Sequence, residues 1–220
     1  MADGLGGMAL LRNDAYERFK AGLFAERIQP GQFLSQKELC EVLDVPLGPM
    51  REALKRLEAE QLVELVPQRG VRIAMVDRKL VHDAFQIRRF LELEACRDYA
   101  LNGDREALDS LKRATIEVLE QAERRQDDAF FDETMEVDWR LHNLLIDALD
   151  NRIVAEVHRV NSDKIRLIRL NLRFTAPRVR PAMEEHLAVI EALIARNADA
   201  AAAALDHHLR TAERRSLGLS

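Results

Sequence analysis

Four side chains in the second half of the chain are of types that bind metal ions. Asp138 and His142 lie four residues apart in the stretch Asp-Trp-Arg-Leu-His, and side chains at i and i+4 share one face of a helix. His186 and His208 lie in two later segments whose apolar residues recur at helical spacing. A helical bundle can therefore bring one carboxylate oxygen and three imidazole nitrogens together around one ion.

This donor set suits zinc first, and also nickel, manganese or iron, with zinc–ligand distances of about 2.0–2.2 Å. Four protein ligands on an octahedral ion leave two positions for water or for two oxygens of a bound carboxylate, so the site would serve as a sensor pocket. Scattered histidines also occur as ordinary core or surface residues, and this alternative stays open. The other three histidines lack a partner at useful spacing and are expected to be bystanders: His82, His158 and His207.

The composition favours a mostly helical protein that could position such a site. The chain has 220 residues, 47% of them hydrophobic, which is enough to bury a core. Alanine, leucine, glutamate and arginine dominate, with six prolines and nine glycines. Beyond Asp77, apolar periodicity and breaks such as Thr175-Ala-Pro177 predict six helices at residues 78–101, 104–126, 128–149, 151–174, 180–197 and 199–216.

The first part of the chain predicts three helices and a hairpin. Residues 1–8 are small and glycine-rich and are expected to be a loose terminus. A first helix runs from Asn13 to the break at Gln29-Pro-Gly, and Ser35 with Glu38 fits a capping box at the start of a second. That second helix is expected to turn three apolar residues inward: Leu39, Val42 and Leu43.

Gly48 suits the N-cap of a third helix and Pro49 its first position. Two strands, 62–66 and 71–76, then flank a turn in which Gly70 allows positive φ. This order predicts a winged helix-turn-helix DNA-binding domain at residues 9–76, followed by an all-helical domain at 77–220. The fold class is therefore mainly α, with a C-terminal bundle of about six helices.

The overall charge gives no support for nucleic-acid binding. The net charge is −5, and residues 1–76 carry slightly more acidic than basic side chains. The basic footprint common in DNA-binding domains is therefore missing. Binding to DNA requires that the positive side chains be segregated onto one face.

Three segments nevertheless carry a family resemblance. Residues 29–39, 49–59 and 62–70 resemble, in residues and spacing, the DNA-binding domain of GntR-family transcription regulators. The resemblance implies that Arg51 reads a base from the front of the third helix and that Lys37 contacts phosphate. It also implies that Arg69 and Gly70 lie at the wing that meets DNA, so these cations would face one duplex.

One departure from the family pattern bears on the operator. Where relatives commonly have Ser-Arg-Thr before the third helix, this chain has Pro46-Leu47-Gly48. The change removes an arginine contact, and a good bidentate base contact contributes about 1–3 kcal/mol of discrimination. The operator sequence should therefore differ from that of better-known relatives.

The second half resembles the helical, FCD-type ligand-binding domain of the FadR branch of the same family, and six helices suit its VanR-like subgroup. Residues 77–220 are therefore expected to be an effector-binding and dimerisation domain. The likeness is carried by residues 88–94 together with Asp138, His142, Asn151, Glu185, His186, His208 and Leu209. It implies that Asp138, His142, His186 and His208 bind a metal. Arg88 is a candidate for pairing with an effector carboxylate, although an ordinary surface arginine would fit the same pattern.

A run of basic residues extends from Arg159, within the fourth of these helices, to Arg180, at the start of the fifth. This run contains one acidic residue, Asp163, and seven basic residues: Arg159, Lys164, Arg166, Arg169, Arg173, Arg178 and Arg180. Such a run is usually a solvated face. Interleaved isoleucines and leucines leave open that part of it lines an anion pocket or an interface.

Together these patterns predict a cytoplasmic, ligand-responsive regulator, expected to be a repressor. It would bind a pseudo-palindromic double-stranded operator as a homodimer and sense a small carboxylate-type effector. The first residues have no signal-peptide form and no long apolar run occurs. Two cysteines, Cys40 and Cys96, are expected to be free thiols.

Two alternatives remain open from the sequence. The histidine site could belong to a metal-dependent enzyme built on the bundle, although the Glu-x-x-His pairs of di-iron bundles are missing. The metal could also be purely structural in a regulator.

Overall fold

The structure, a computed structural model, describes residues 3–170 and 176–219. These residues form two units, one built mainly from the chain before Arg78 and the other mainly from the chain after it. The predicted fold class is confirmed, since a winged helix-turn-helix precedes an all-helical part. The boundary between residues 76 and 77 stays a prediction. None of the described helices has the length and apolar content needed to cross a bilayer.

The first unit combines helices with a small antiparallel sheet. Its described elements are α1 (Asp3–Phe24), β1 (Phe33–Leu34), α2 (Gln36–Leu43), α3 (Leu47–Ala59), β2 (Val63–Val66) and β3 (Gly70–Ile73). The strand order is β1-β3-β2, with Leu34 opposite Val71 and Val63 opposite Ile73. Strand β1 was not predicted, because two residues are too few to show an alternating pattern.

Helix α1 packs an apolar face into this unit. Tyr16, Phe19 and Leu23 are buried, and the Tyr16 hydroxyl donates to Glu60 Oε2 at 2.6 Å. The helix begins at Asp3, so the expected loose terminus is wrong from residue 3 onward, while residues 1 and 2 lie outside the described chain. Extending an existing helix needs no new nucleus, so the weak propensity of glycine does not stop it.

The helix-turn-helix follows the predicted capping chemistry at α2. Ser35 Oγ accepts from the Glu38 amide at 3.2 Å, and Glu38 Oε2 accepts from the Ser35 amide at 2.8 Å. Leu39 and Leu43 are buried, but Val42 is 41% exposed, so its inward orientation was wrong. Residues 39 and 43 are one helical turn apart, and position 42 falls to the side of the face that they share.

Helix α3 begins two residues earlier than predicted. Pro46 is the N-cap, with φ −62° and no side-chain cap, and Leu47 is the first helical residue. Gly48 is therefore inside the helix rather than its cap. Proline favours the φ observed at the cap, and Pro49 is tolerated because the first-turn N–H groups make no intrahelical bond. The apolar face predicted for α3 is confirmed, since its members are buried: Met50, Ala53, Leu54 and Leu57.

The turn between β2 and β3 depends on the glycine that ends it. Gly70 has φ +147°, and a Cβ built there would lie 2.3 Å from the backbone oxygen of Leu34. Gln68, which was not singled out from the sequence, takes the other positive φ of this turn, 58°. The absence of a side chain at Gly70 thus lets β3 approach the end of β1.

The described chain from Arg78 onward forms six helices as predicted, and all of them belong to the second unit except the end of the fourth, residues 166–170, which groups with the first unit. They are α4 (Arg78–Asn102), α5 (Arg105–Gln121), α6 (Asp128–Asp147), α7 (Arg152–Leu170), α8 (Ala176–Ile194) and α9 (Ala198–Ser216). The break expected at Thr175-Ala-Pro177 is wrong at its last two residues, which belong to α8, because proline is accepted in a first helical turn. Thr175 and the predicted end of α7, residues 171–174, lie outside the described residues.

Side-chain caps and one apolar cluster hold these helices in place. Asp104, Asp127 and Asn197 accept backbone N–H groups at the starts of α5, α6 and α9. Helix α4 packs mainly on α9, and α8 packs on α9 and α5. Leucines from α6 and α9 are buried in the shared core. This core fixes the polar residues that project from the same helices.

We expect Gly70→Ala to destabilise the first unit by about 1–3 kcal/mol, because alanine would be strained at this φ and would clash with Leu34. Thermal denaturation followed by circular dichroism measures the loss. Gly48→Ala is the matched control, since no atom lies within 4 Å of its added Cβ. Equal melting temperatures for the Gly70 variant and the control would contradict this account.

Candidate metal centre and DNA-contacting residues

The four predicted metal ligands come together inside the second unit. Asp138 and His142 project from successive turns of α6, His186 comes from α8 and His208 from α9. Each is at most 1% exposed. One ligand atom from each residue can be chosen so that all four lie within 4.8 Å of one another.

The distances suit a single ion. His186 Nε2 lies 3.1 Å from His208 Nε2 and 3.6 Å from Asp138 Oδ1. Two ligands each about 2.1 Å from an ion, at tetrahedral or octahedral angles, would be about 3.0–3.4 Å apart. The Nε2 of His142 has no hydrogen-bond partner among the described residues. Three imidazoles and one carboxylate therefore fit a divalent metal with little movement.

A buried carboxylate determines the state of His142. Glu92 Oε2, from α4, lies 2.8 Å from His142 Nδ1. Burial alone would raise the pKa of Glu92, but Arg88 and the neighbouring histidines hold it well below the usual value. Burial and the Arg88 charge lower the pKa of His142 to about 4. The neutral ring thus donates Nδ1–H to Glu92 and keeps the Nε2 lone pair for a metal.

His208 has a similar partner on a different helix. Its Nδ1 lies 2.8 Å from Oε2 of Glu185 on α8. Burial would raise the pKa of Glu185, but hydrogen bonds from His208 and Arg215 lower it. Arg215 Nη1 donates to Glu185 Oε2 at 3.2 Å, and Nη2 contacts Oε1. The ionised carboxylate can accept the Nδ1 proton of His208.

Arg88, which was predicted to bind the effector, is buried and is not an ordinary surface arginine. It is 1% exposed, and its Nε and Nη2 donate to Glu92 at 2.7 and 3.3 Å. Its Nη1 has no hydrogen-bond partner in the described chain. The guanidinium thus already holds one internal carboxylate and has one nitrogen left for another group.

Three residues of this polar cluster were given no role in the site from the sequence, although Glu92 and Glu185 belong to the segments that carry the family resemblance. Glu92 lies one turn after Arg88, and Glu185 precedes His186, so helical spacing and adjacency were available signals. His158 was taken for a bystander but is buried on α7, with Nε2 3.5 Å from Glu92 Oε1. No sequence spacing connects α7 with α4.

The remaining two histidines lie away from the cluster. His82 is exposed, and its Nδ1 lies 2.9 Å from Glu213 Oε1. His207 is exposed on α9, beside the buried His208. Adjacent positions on a helix point about 100° apart, which explains why only one of the pair faces inward.

In the first unit, contacts connect the elements that carry the predicted DNA ligands. Lys37 and Arg51 are exposed on α2 and α3, and Arg69 is exposed in the β2–β3 turn. Arg51 Nε donates to Gln36 Oε1 at 3.1 Å. Gly70 approaches the backbone of Leu34 and Ser35. The start of α2 thus adjoins both the start of α3 and the start of β3. The close approach to Leu34 and Ser35 also explains why position 70 is a glycine.

The departure from the family pattern lies in the first turn of α3. Leu47 is 40% exposed there, and the space beside Gly48 is open. An arginine at position 47 would present hydrogen-bond donors, whereas Leu47 presents only an apolar surface. The chemistry offered by the front of this helix therefore differs from the common pattern.

The basic run after Arg159 does not form one uniform solvated face. Asp163 is buried and lies 3.6 Å from Arg159, while Arg180 Nη2 lies 3.0 Å from Glu123. Arg173 lies outside the described residues, and the side chain of Arg178 is likewise not described. The described members are therefore partly engaged in local ion pairs.

Comparison with known proteins identifies the family. Residues 11–73 match the gntR family of bacterial regulatory proteins, and residues 83–211 match the FCD domain. The chain belongs to the GntR family. Its N-terminal domain is the DNA-binding domain of that family, and its FCD domain contains the buried His/Asp cluster. The finer assignment to the VanR-like subgroup stays a prediction.

Individual relatives of this GntR-family protein are transcription regulators. BphR from Paraburkholderia xenovorans (strain LB400), an HTH-type transcriptional regulator, is 29% identical over 203 residues, covering 89% of this chain and 81% of BphR. The HTH-type transcriptional repressor RspR from Escherichia coli (strain K12) is 27% identical, covering 83% and 78% of the two chains.

The fold is shared with a solved GntR-type structure from Rhodococcus sp. RHA1, with a TM-score of 0.74 and 23% identity, covering 95% of this chain and 98% of the other. The families and relatives are DNA-binding regulators and not enzymes. The metalloenzyme alternative is therefore without support.

Proposed function

We propose that this regulator senses a small organic acid at a divalent metal ion held by Asp138, His142, His186 and His208. The observation that carries the proposal is the convergence of these four buried ligands within one domain. Zinc is the first candidate, because imidazole and carboxylate donors suit it; nickel, manganese and iron accept the same donors. When bound, the ion supplies a positive centre for the oxygens of an effector carboxylate.

Arg88 provides a second point of attachment for an acidic effector. Its Nη1 and the hydroxyl of Thr134 are buried and have no hydrogen-bond partner among the described residues. Thr134 lies one turn before Asp138 on α6, so the two share a helical face. A buried guanidinium nitrogen left over from the Glu92 pair suits an anionic oxygen. These features favour a carboxylate with a further oxygen over an apolar ligand.

At the DNA-binding domain, we assign base contact to Arg51, phosphate contact to Lys37 and wing contacts to Arg69 and Gly70. The exposure of the three cations supports this assignment. Leu47 can contact the methyl group of a thymine, which is the apolar feature of the major groove. The repressor activity named for the relative RspR supports repression here.

The exposed face of α4 supports a homodimer. Phe90 and Leu101 are 67% and 66% exposed, and Glu94 and Arg97 lie between them on the same face. If α4 packed antiparallel against its copy across a two-fold axis, Phe90 would face the partner's Leu101. Glu94 would then face the partner's Arg97. A two-fold dimer of this kind would read a pseudo-palindromic operator.

A metal with a purely structural role remains the competing proposal. Ligands from α6, α8 and α9 would join three helices of the bundle, which is what a structural zinc site does. The two proposals differ in one respect: only the sensor requires that effector binding depend on the metal.

For DNA binding, we expect selection from random DNA to enrich a short pseudo-palindrome with the wild-type protein. Arg51→Ala should weaken binding to that sequence by about 10–100-fold, because one base contact contributes about 1–3 kcal/mol. Arg18→Ala, which removes an equal charge from α1, should change the affinity less than twofold. Unchanged affinity and sequence preference in the Arg51 variant would rule out its assigned role.

For dimerisation, Phe90→Glu should raise the dimer dissociation constant at least about 100-fold, since two phenylalanines per dimer would lose their burial. Sedimentation equilibrium measures the constant. The control is Leu11→Glu, which makes a similar change at an exposed apolar residue of a different helix, α1. This variant should leave the dimer intact. A dimer that tolerates Phe90→Glu would show that this face is not the interface.

For sensing, a thermal-shift screen would combine zinc, nickel or manganese with small carboxylates. We expect zinc at 100 times its dissociation constant to stabilise the protein by about 2.7 kcal/mol, and the active carboxylate to add a further shift only with metal present. His142→Ala should lose both shifts, and His207→Ala should keep them. Each active carboxylate should then change the affinity of the loaded protein for the selected operator.

A carboxylate shift that persists after chelation would favour the structural metal. No shift with any metal would reject the metal centre itself.

A further inference from the structure

Two of the three ligand histidines are held by the same arrangement of side chains. In each, an arginine pairs with a glutamate, and that glutamate lies 2.8 Å from a histidine Nδ1. The first chain of contacts is Arg88, Glu92 and His142; the second is Arg215, Glu185 and His208. The first series of contacts joins α4 to α6, and the second joins α8 to α9.

We propose that Glu92 and Glu185 are positioning residues of the metal centre, an inference that rests on the metal site proposed above. Each carboxylate accepts the Nδ1 proton of one ligand histidine and so fixes the ring orientation and tautomer. Nε2 then carries the lone pair that faces the ion. Arg88 and Arg215 act one step further out, because they hold the carboxylates in place.

The geometry supports this role for several reasons. Glu92 and Glu185 reach their histidines from other helices, α4 to α6 and α8 to α9, so neither contact follows from local helix structure. In both rings the carboxylate occupies Nδ1. For His208 the opposite nitrogen lies 3.1 Å from His186 Nε2, inside the cluster. Such carboxylate–histidine pairs orient metal ligands and raise their basicity, and their loss typically weakens metal binding 10–100-fold.

Glutamine is the informative replacement because it keeps the size of glutamate. Its amide oxygen can still accept from Nδ1, but the charge is lost. Its NH₂ group can also donate to Nδ1, and the ring would then carry its proton on Nε2 and could not bind the ion. The expected effect is therefore on metal affinity and coordination rather than on packing.

The decisive experiment measures cobalt(II) affinity by competition with a chelator and records the visible spectrum of the cobalt-loaded protein. We expect Glu92→Gln and Glu185→Gln each to weaken cobalt binding by about 10–100-fold and to change the ligand-field bands. Glu191→Gln is the control, because Glu191 is an exposed residue of α8 that pairs with Lys112. The cobalt affinity of Glu191→Gln should match that of the wild-type protein within about twofold.

Thermal denaturation of the metal-free proteins separates positioning from stability. Glu92 is fully buried, so if its variant fails to fold, the more exposed Glu185 decides the question. Combining Glu185→Gln with His208→Ala gives a further check. If Glu185 acts through His208, the glutamine should add no further loss of affinity when that ring is absent.

Wild-type affinity and an unchanged spectrum in Glu185→Gln would overturn the positioning role while leaving the metal centre intact. If the wild-type protein binds no cobalt, zinc, nickel or manganese, the metal centre itself is wrong, and the positioning role falls with it. These two failures are therefore distinguishable.

Discussion

The structure of the FCD domain depends on keeping an ionised carboxylate inside a helical bundle. Glu92 is fully buried, and an unpaired charge in such surroundings costs several kcal/mol. Arg88, His142 and His158 lie around it and compensate that cost. Because these partners come from α4, α6 and α7, the charge ties three helices to one arrangement. Burial and the charge of Arg88 lower the pKa of His142 to about 4, so the ring is neutral, which is the form that binds a metal.

The proposed metal ligands come from helices that pack against one another, so a metal bound to them would connect several parts of the bundle. Asp138 and His142 belong to α6, while His186 and His208 belong to the packed pair α8 and α9. Leucines and alanines of the same helices fill the core around the cluster. A ligand that bound one arrangement of these helices better than another would shift the population of that arrangement. This is the physical requirement for an effector to control DNA binding.

Much of this organisation could be predicted from local patterns. The Ser35 capping box, the apolar face of α3 and the Asp138–His142 pair all depend on spacing within one helix, which sequence displays directly. His186 and His208 were candidates from their residue type and their helical segments, and the family likeness strengthened their assignment, because their separation along the chain has no periodic meaning. Helix α2 shows where prediction from spacing fails. Spacing alone assigned Val42 to the core, although this short helix buries only the face that carries Leu39 and Leu43.

Residues whose roles arise from tertiary contact were the ones missed. Glu92 and His158 are 66 residues apart along the chain, and only the packing of α4 beside α7 brings their side chains within 3.5 Å. Strand β1 exists because β3 pairs with it. The turn pattern predicted Gly70, but it did not predict that Gly70 approaches the backbone of Leu34. Such requirements come from partners elsewhere in the chain and leave no local pattern.

The proposed metal centre requires that the four buried residues bind one ion. X-ray absorption spectroscopy of the zinc-loaded protein tests it most directly. If the four residues bind it, zinc should have a first coordination sphere of nitrogen and oxygen at about 2.0–2.2 Å, with the multiple-scattering signature of three imidazoles and no sulfur. A spectrum dominated by water oxygens or by a cysteine sulfur, or one that does not change in His142→Ala, would contradict it.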